Sequence, residues 1–184
     1  MERNLNTEPS QKKLRIRTLI TDHFKPSQIF SPPSLEVVDG DTVKFPMYGH
    51  TFYLRITGVN APELYSANAH KSPQPFSQEA KDRLGQLLLD EASNWKIVLH
   101  ERLIDGTGIR LLGYLFVEKD GEFVNVSHIL LAEGLAVPYM MEQRLTLEEQ
   151  LEYQDLAYEA ERLRLGVYSI RGYVTEFGRF NEDI

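Results

Sequence analysis

The sequence predicts a mainly β protein with α-helices, a five-stranded OB-type barrel carrying three helices. Three observations point there. Residues 35–59 read as three short strands in a meander, joined by the turn signals Asp39-Gly40 and Tyr48-Gly49-His50. Two further strand patterns follow, at 95–99 and 110–117, after a stretch with helical spacing. Two more helical patterns end at Gly134 and Gly166, residues suited to follow a helix. Such a fold names no function by itself.

Taken in order, residues 1–13 are polar and mixed in charge, and 14–20 (LRIRTLI) reads as a short added strand. Residues 24–34 hold three prolines and read as a linker. Strands at 35–38 and 42–45 flank Asp39-Gly40. In 51–59, Phe52, Leu54 and Ile56 alternate with Tyr53, Arg55 and Thr57. The loop 60–76 is long for a compact domain, and loops of that length are often functional. Ser77 is placed to cap a helix carrying Ala80, Leu84, Leu87 and Leu88 on one face. Trp95, Ile97 and Leu99 alternate as the fourth strand. Residues 110–117 are the fifth, followed by a hairpin turn at Asp120-Gly121. A helix over roughly 127–133 follows. The last begins at Thr146 with Glu149 three residues on, a capping box, and buries Tyr153, Leu156, Ala157, Ala160 and Leu163.

At 184 residues and 42% apolar content, the chain is long and apolar enough for one cored domain over 35–170, with an N-terminal extension and linker at 1–34 and a C-terminal tail at 171–184. It has no cysteine, which excludes a disulfide framework and thiolate metal sites. No apolar run is long enough to span a bilayer, and the polar N-terminus lacks a signal-peptide core, so a cytoplasmic monomer is expected. The formal net charge of −7 argues at first against a nucleic-acid partner. Its location reverses that inference. Residues 142–161 hold seven acids and one base, so the acidity belongs to one helical segment and leaves the rest of the surface open to an anionic ligand.

The turn at Asp39-Gly40 leaves a second carboxylate, Asp41, without a turn role. Asp41 and Asn60 lie at the ends of neighbouring strands remote from the turn that joins them, so both can meet at one end of the barrel. An oxygen from each, with the carbonyl of Ala61, which an adjoining proline biases to an extended conformation, could hold a hard cation such as calcium. Glu63 lies just beyond, and Arg55 projects from the polar face of the same strand. A carboxylate, a cation site and an arginine together suggest attack on a phosphodiester. The five histidines show no metal-ligand spacing and read as structural or solvated.

The segments VVDGDTVKF, YLRITGVNAPE, PFSQEAKDRLGQLL, RLLGY and HILLAEGLAVPY resemble, in order and spacing, the staphylococcal (thermonuclease) nuclease family over about residues 35–168. The resemblance implies an OB barrel and calcium-dependent cleavage of DNA and RNA to 3′-phosphate ends. It places metal ligation on Asp41, Asn60 and the Ala61 carbonyl. Activation of the attacking water falls on Glu63, and phosphate contacts fall on Arg55 and Arg110. Tyr139 roughly matches a substrate-side tyrosine.

The sequence departs from the family pattern in three places. Asn60 stands where an Asp is usual, which removes one ligand charge. The element 105–110 (DGTGIR) has one residue more than usual between its glycine and Arg110, although Arg110 keeps its spacing to Tyr114. The Lys and Tyr that staphylococcal nuclease has in this loop are absent. These departures sustain a rival reading, a module of the same fold that binds nucleic acid or a protein and cuts poorly or not at all. An OB module for oligosaccharide ranks last, because only Phe45 and Tyr53 offer suitable aromatic rings.

Overall fold

The computed structural model describes residues 9–64, 72–140, 145–176 and 178–184. In chain order the elements are α1 (Pro9–His23), β1 (Ile29–Phe30), β2 (Glu36–Asp39), β3 (Thr42–Met47), β4 (His50–Ile56), β5 (Val59–Asn60), α2 (Ser77–Gln86), β6 (Asn94–Ile104), β7 (Leu111–Lys119), β8 (Glu122–Asn125), α3 (Val126–Ala132), β9 (Val137–Pro138) and α4 (Leu147–Arg162). A π-helical turn, Leu87–Glu91, extends α2, and a 3-10 turn, Gly166–Ser169, follows α4.

The main sheet has seven strands in the order β1-β6-β7-β4-β3-β2, with β8 also on β7. Its pairings are antiparallel apart from β4 on β7. A separate two-stranded sheet joins β5 to β9. The expected five-stranded barrel with three helices is therefore corrected. The described residues form four α-helices, and β1 and β2 lie at opposite ends of a sheet that does not close. The strands beyond the expected five are two to four residues long. That is too short for alternation to reveal them.

The largest correction is at the N-terminus. LRIRTLI is the middle of α1, not a strand. Ile16, Leu19, Ile20 and Phe24 recur at the helical period, and Ile20 and Phe24 are buried in the core. Pro9 opens the helix, where its missing N–H costs nothing. Phe24 meets Phe45 and Phe52 edge to face, with ring centroids 6.3 and 4.8 Å away. The proline-rich stretch after it is held by the Trp95 indole N–H, which donates to the Pro32 carbonyl at 3.0 Å. α1 and Phe24 thus join the core, and β1 extends the sheet beside β6.

Three smaller differences are local. Ser77 is the first residue of α2, and Phe76, at φ 66°, precedes it without a side-chain cap. Leu163 ends α4 exposed, whereas Tyr153, Ala157 and Ala160 are buried. The capping box at Thr146 and Glu149 is present, with both hydrogen bonds made.

The segment after α4 forms a second apolar cluster of Val137, Val167, Tyr173 and Phe180. Tyr173 and Phe180 stack at 5.0 Å, and the Tyr173 hydroxyl donates to the Pro75 carbonyl at 2.9 Å. Tyr173 and Phe180 therefore pack the described residues of 171–184 beside β9 and the start of α2. No helix among the described residues is long and apolar enough to cross a membrane.

Candidate active site

The β2–β3 hairpin turns at Gly40-Asp41, with Asp39 paired to Thr42. Asp41 thus occupies the turn itself, not the strand beyond it. Gly40 is required by space. A Cβ there would lie 2.7 Å from the Cβ atoms of both Ala61 and Ala80, so the turn is pressed between the loop after β5 and α2. Asp41 is 4% exposed and fully engaged. Its Oδ2 accepts from the Ala61 backbone N–H at 2.7 Å and pairs with the guanidinium of Arg55, and its Oδ1 accepts from the Thr42 hydroxyl at 3.1 Å.

Arg55 lies on β4, which has β3 on one side and β7 on the other, so it is registered opposite both Thr42 and Leu112. A central strand explains why this arginine is buried although it belongs to the polar alternation of its strand. Besides Asp41 it donates to Asn60 Oδ1 at 3.2 Å. Asn60, paired through β5 with Val137 of β9, uses its other amide atom to donate to the Gly178 carbonyl at 3.3 Å. One guanidinium therefore ties together the two side chains that the sequence assigns to a metal.

Arg110 arrives from the β6–β7 connection. The inserted residue is absorbed by a turn in which Gly108, at φ 80°, donates its N–H to the Asp105 carbonyl at 3.1 Å. The Asp105 carboxylate organises the loop. Its Oδ1 accepts from the Thr107 hydroxyl at 2.6 Å, and its Oδ2 accepts from Arg110 Nε and Nη2 at 2.7 Å each. Arg110 Nη1 reaches the Thr42 hydroxyl at 3.5 Å. Thr42 thus stands between the two arginines.

Arg55, Asn60, Glu63, Arg110 and Tyr139 line one cleft of about 420 Å³, with Asp41 and Ala61 buried behind it. Tyr139 is fixed there by its backbone N–H, which donates to the Gly58 carbonyl at 2.8 Å. Burial pushes the Glu63 carboxyl pKa up and the Asp41 charge adds to this, while Arg55 and Arg110 pull it down. Glu63 therefore senses all three charged residues at once.

The cleft also contains Arg102, Asp105 and Arg179, which the sequence does not single out. Asp105 had a visible signal in its DGTG turn; Arg179 had none. Asp39, read as a turn residue, has its pKa pushed up to about 7, first by burial and then by the Asp41 charge.

The chemistry of the donors can be tested against calcium. Among the described residues no three His, Cys, Asp or Glu side chains gather as a ready ligand set. The candidate ligands are instead one carboxylate, one amide oxygen and one backbone carbonyl, all hard oxygens of the kind calcium takes. Burial first, and then the Asp41 charge, raises the pKa of the Asp39 carboxyl, and a divalent cation nearby would favour its charged form. The donor types suit such a cation, and the Arg55 guanidinium is the present counter-charge to Asp41.

Comparison with known proteins gives the family of the chain. The family model described as staphylococcal nuclease homologue matches residues 53–169, and the chain belongs to that family. It is 32% identical over 142 residues to the SPbeta prophage-derived endonuclease YokF of Bacillus subtilis, covering 77% of this chain. The chain spans only 45% of that relative's length. It is 28% identical over 140 residues to the micrococcal nuclease of Shigella flexneri, covering 73% of this chain and 71% of the relative. Family membership implies an OB fold, here built on a larger, open sheet.

Proposed function

We propose that the chain is a calcium-dependent nuclease that hydrolyses phosphodiester bonds of DNA, RNA or both to 3′-phosphate and 5′-hydroxyl ends. The observation that carries this reading is the convergence on Glu63 of the charges of Asp41, Arg55 and Arg110 at one cleft. Membership of a nuclease family supports it.

Glu63 acts as the general base. A carboxyl group with a raised pKa accepts a proton more readily than an ordinary glutamate does. It removes a proton from the water that attacks phosphorus. The P–O bond to the 5′-oxygen breaks, and that oxygen leaves with a proton from solvent. Arg110 and Arg55 donate to the phosphate oxygens as negative charge builds on them. Each has five N–H groups, so its carboxylate partner leaves donors to spare. Asp105 and Asp41 hold the two guanidinium planes in place. Calcium held by Asp41, Asn60 and the Ala61 carbonyl would neutralise further phosphate charge and lower the pKa of water. Tyr139 offers a ring at the cleft wall against which a base can stack.

The rival reading, a non-cutting module, is favoured by one feature. Both arginines already hold protein carboxylates, and Asn60 supplies no charge. Digestion of single-stranded DNA and RNA in calcium or in chelator, with end-group analysis, separates the two. Calcium-only cleavage leaving 3′-phosphates supports the enzyme. Equal cleavage in chelator, or 5′-phosphate ends, contradicts it, and intact substrate with retained binding supports the rival.

A further inference from the structure

We propose that Arg179, on the C-terminal segment, is a substrate-binding residue of the cleft, and that it holds a phosphate flanking the scissile one. The proposal rests on the nuclease reading for its substrate class. It extends the site past residue 169, where the family match ends.

The first observation is charge. The cleft is lined by four arginines, Arg55, Arg102, Arg110 and Arg179, against two carboxylates, Glu63 and Asp105. A chain of net charge −7 thus presents a local excess of cations at this one place. Local potential, not net charge, decides where an anionic strand is drawn. Arg55 and Arg110 are both spent in part on Asp41 and Asp105. Arg179 differs, because among the described residues its guanidinium forms no ion pair. An arginine whose donors are uncommitted can give two parallel hydrogen bonds to one phosphate.

The second observation is construction. An exposed arginine on a loose tail would be an ordinary solvated charge. Arg179 is held at its backbone. Its carbonyl accepts from both the N–H and the hydroxyl of Thr175, at 2.9 and 3.1 Å. The preceding Gly178, at φ 64°, lies against β9 so closely that a Cβ would fall 2.2 Å from the Pro138 carbonyl oxygen. The Gly178 carbonyl accepts from Asn60, the same residue that contacts Arg55. The next residue, Phe180, anchors the strap by stacking on the buried Tyr173. The segment is therefore fastened on both sides of Arg179 and coupled by one hydrogen bond to the candidate metal ligand. Such fixing lowers the ordering cost of binding.

Two measurements test this, with Arg179→Ala, Arg179→Lys and the control Arg171→Ala, which changes an exposed arginine of the same segment outside the cleft. The first is the anisotropy of a fluorescein-labelled single-stranded DNA 12-mer over a range of salt, with every variant in a Glu63→Gln background that keeps the probe intact. Loss of one phosphate contact is expected to weaken binding about five- to tenfold and to flatten the salt slope by about 0.7. Arg179→Lys should retain the slope, and Arg171→Ala should match its background. The second is steady-state cleavage, in which Arg179→Ala is expected to raise KM far more than it changes kcat. An Arg179→Ala variant with an unaltered salt slope overturns the proposal. So does a loss that Arg171→Ala reproduces, since that marks a general effect of the segment's charge. If the chain binds the 12-mer but does not cut it, the nuclease reading falls while the binding arm still decides the role of Arg179. If it binds no 12-mer at all, both fall.

Discussion

Arg55 and Arg110 face the same cleft from regions that are built differently. Arg55 sits on the central strand β4, 8% exposed, and its partner Asp41 is buried with it. Arg110 sits at the end of a loop, half-buried, and is held by an Asp105 that also binds a hydroxyl and a backbone N–H. The first pair is part of the sheet's structure as well as of the site. The second belongs mainly to the site, because the loop around it is closed by its own hydrogen bonds. The same guanidinium chemistry is thus carried once by the core and once by a separable clip.

This contrast predicts unequal consequences when each arginine is removed. Arg55→Ala should have the largest effect. It is expected to lower turnover at least about 100-fold and to destabilise the fold by about 3–5 kcal/mol, because Asp41 is left buried without a counter-charge. Chemical denaturation beside steady-state kinetics measures both. An undiminished unfolding midpoint would show that Asp41 does not depend on Arg55.

Arg110→Ala should lower turnover by a similar factor of about 100 with a stability cost of at most about 2 kcal/mol, since Thr107 and the backbone still bind Asp105. If this variant cuts at the normal rate with a normal melting curve, the extra loop residue has moved Arg110 out of the chemistry.

Much of the candidate site's convergence, but less of the fold, is legible in the sequence, and the reason is physical. Asp41, Arg55, Asn60, Ala61 and Glu63 lie within 23 residues of chain, and hairpin geometry alone brings them near one another. Arg110 needs only a strand register, which its spacing to Tyr114 preserves. The N-terminal helix was obscured because LRIRTLI alternates over a few residues like a strand. Its true period emerges only when Phe24, beyond the apparent break at His23, is counted with Ile16, Leu19 and Ile20. Asp39 is hidden by turn chemistry, which gives an Asp a sufficient reason to be present, whereas the DGTG turn marks Asp105 without revealing its partner Arg110. Arg179 reaches the cleft through tertiary packing of Tyr173 and Phe180, and no local pattern records that.

Asn60→Asp probes the junction between the two regions. Calcium affinity depends partly on ligand charge, so the variant should bind calcium about 5–30-fold more tightly, or roughly 1–2 kcal/mol. Without calcium it should melt lower than the natural chain. The new carboxylate would share the single Arg55 guanidinium with Asp41 and can no longer donate to the Gly178 carbonyl. If calcium binding does not tighten, Asn60 is not a ligand.

The smallest expected effect concerns pH. The Glu63 pKa is raised above 4.5, so the base is lost to protonation at a higher pH than an ordinary glutamate would be. The acid limb of kcat/KM should therefore lie above 4.5, with rate falling as pH drops through it. An acid limb at or below the ordinary glutamate value would remove Glu63 as the base.

Calcium titration by calorimetry of the natural chain and of Asp41→Asn tests the central claim most directly. The account predicts one calcium site on the natural chain and its loss, or at least a tenfold weakening, in a folded Asp41→Asn variant, about 1.4 kcal/mol or more. Equal calcium affinity in the two proteins, or no calcium binding by the natural chain even with a bound single-stranded oligonucleotide, would contradict it.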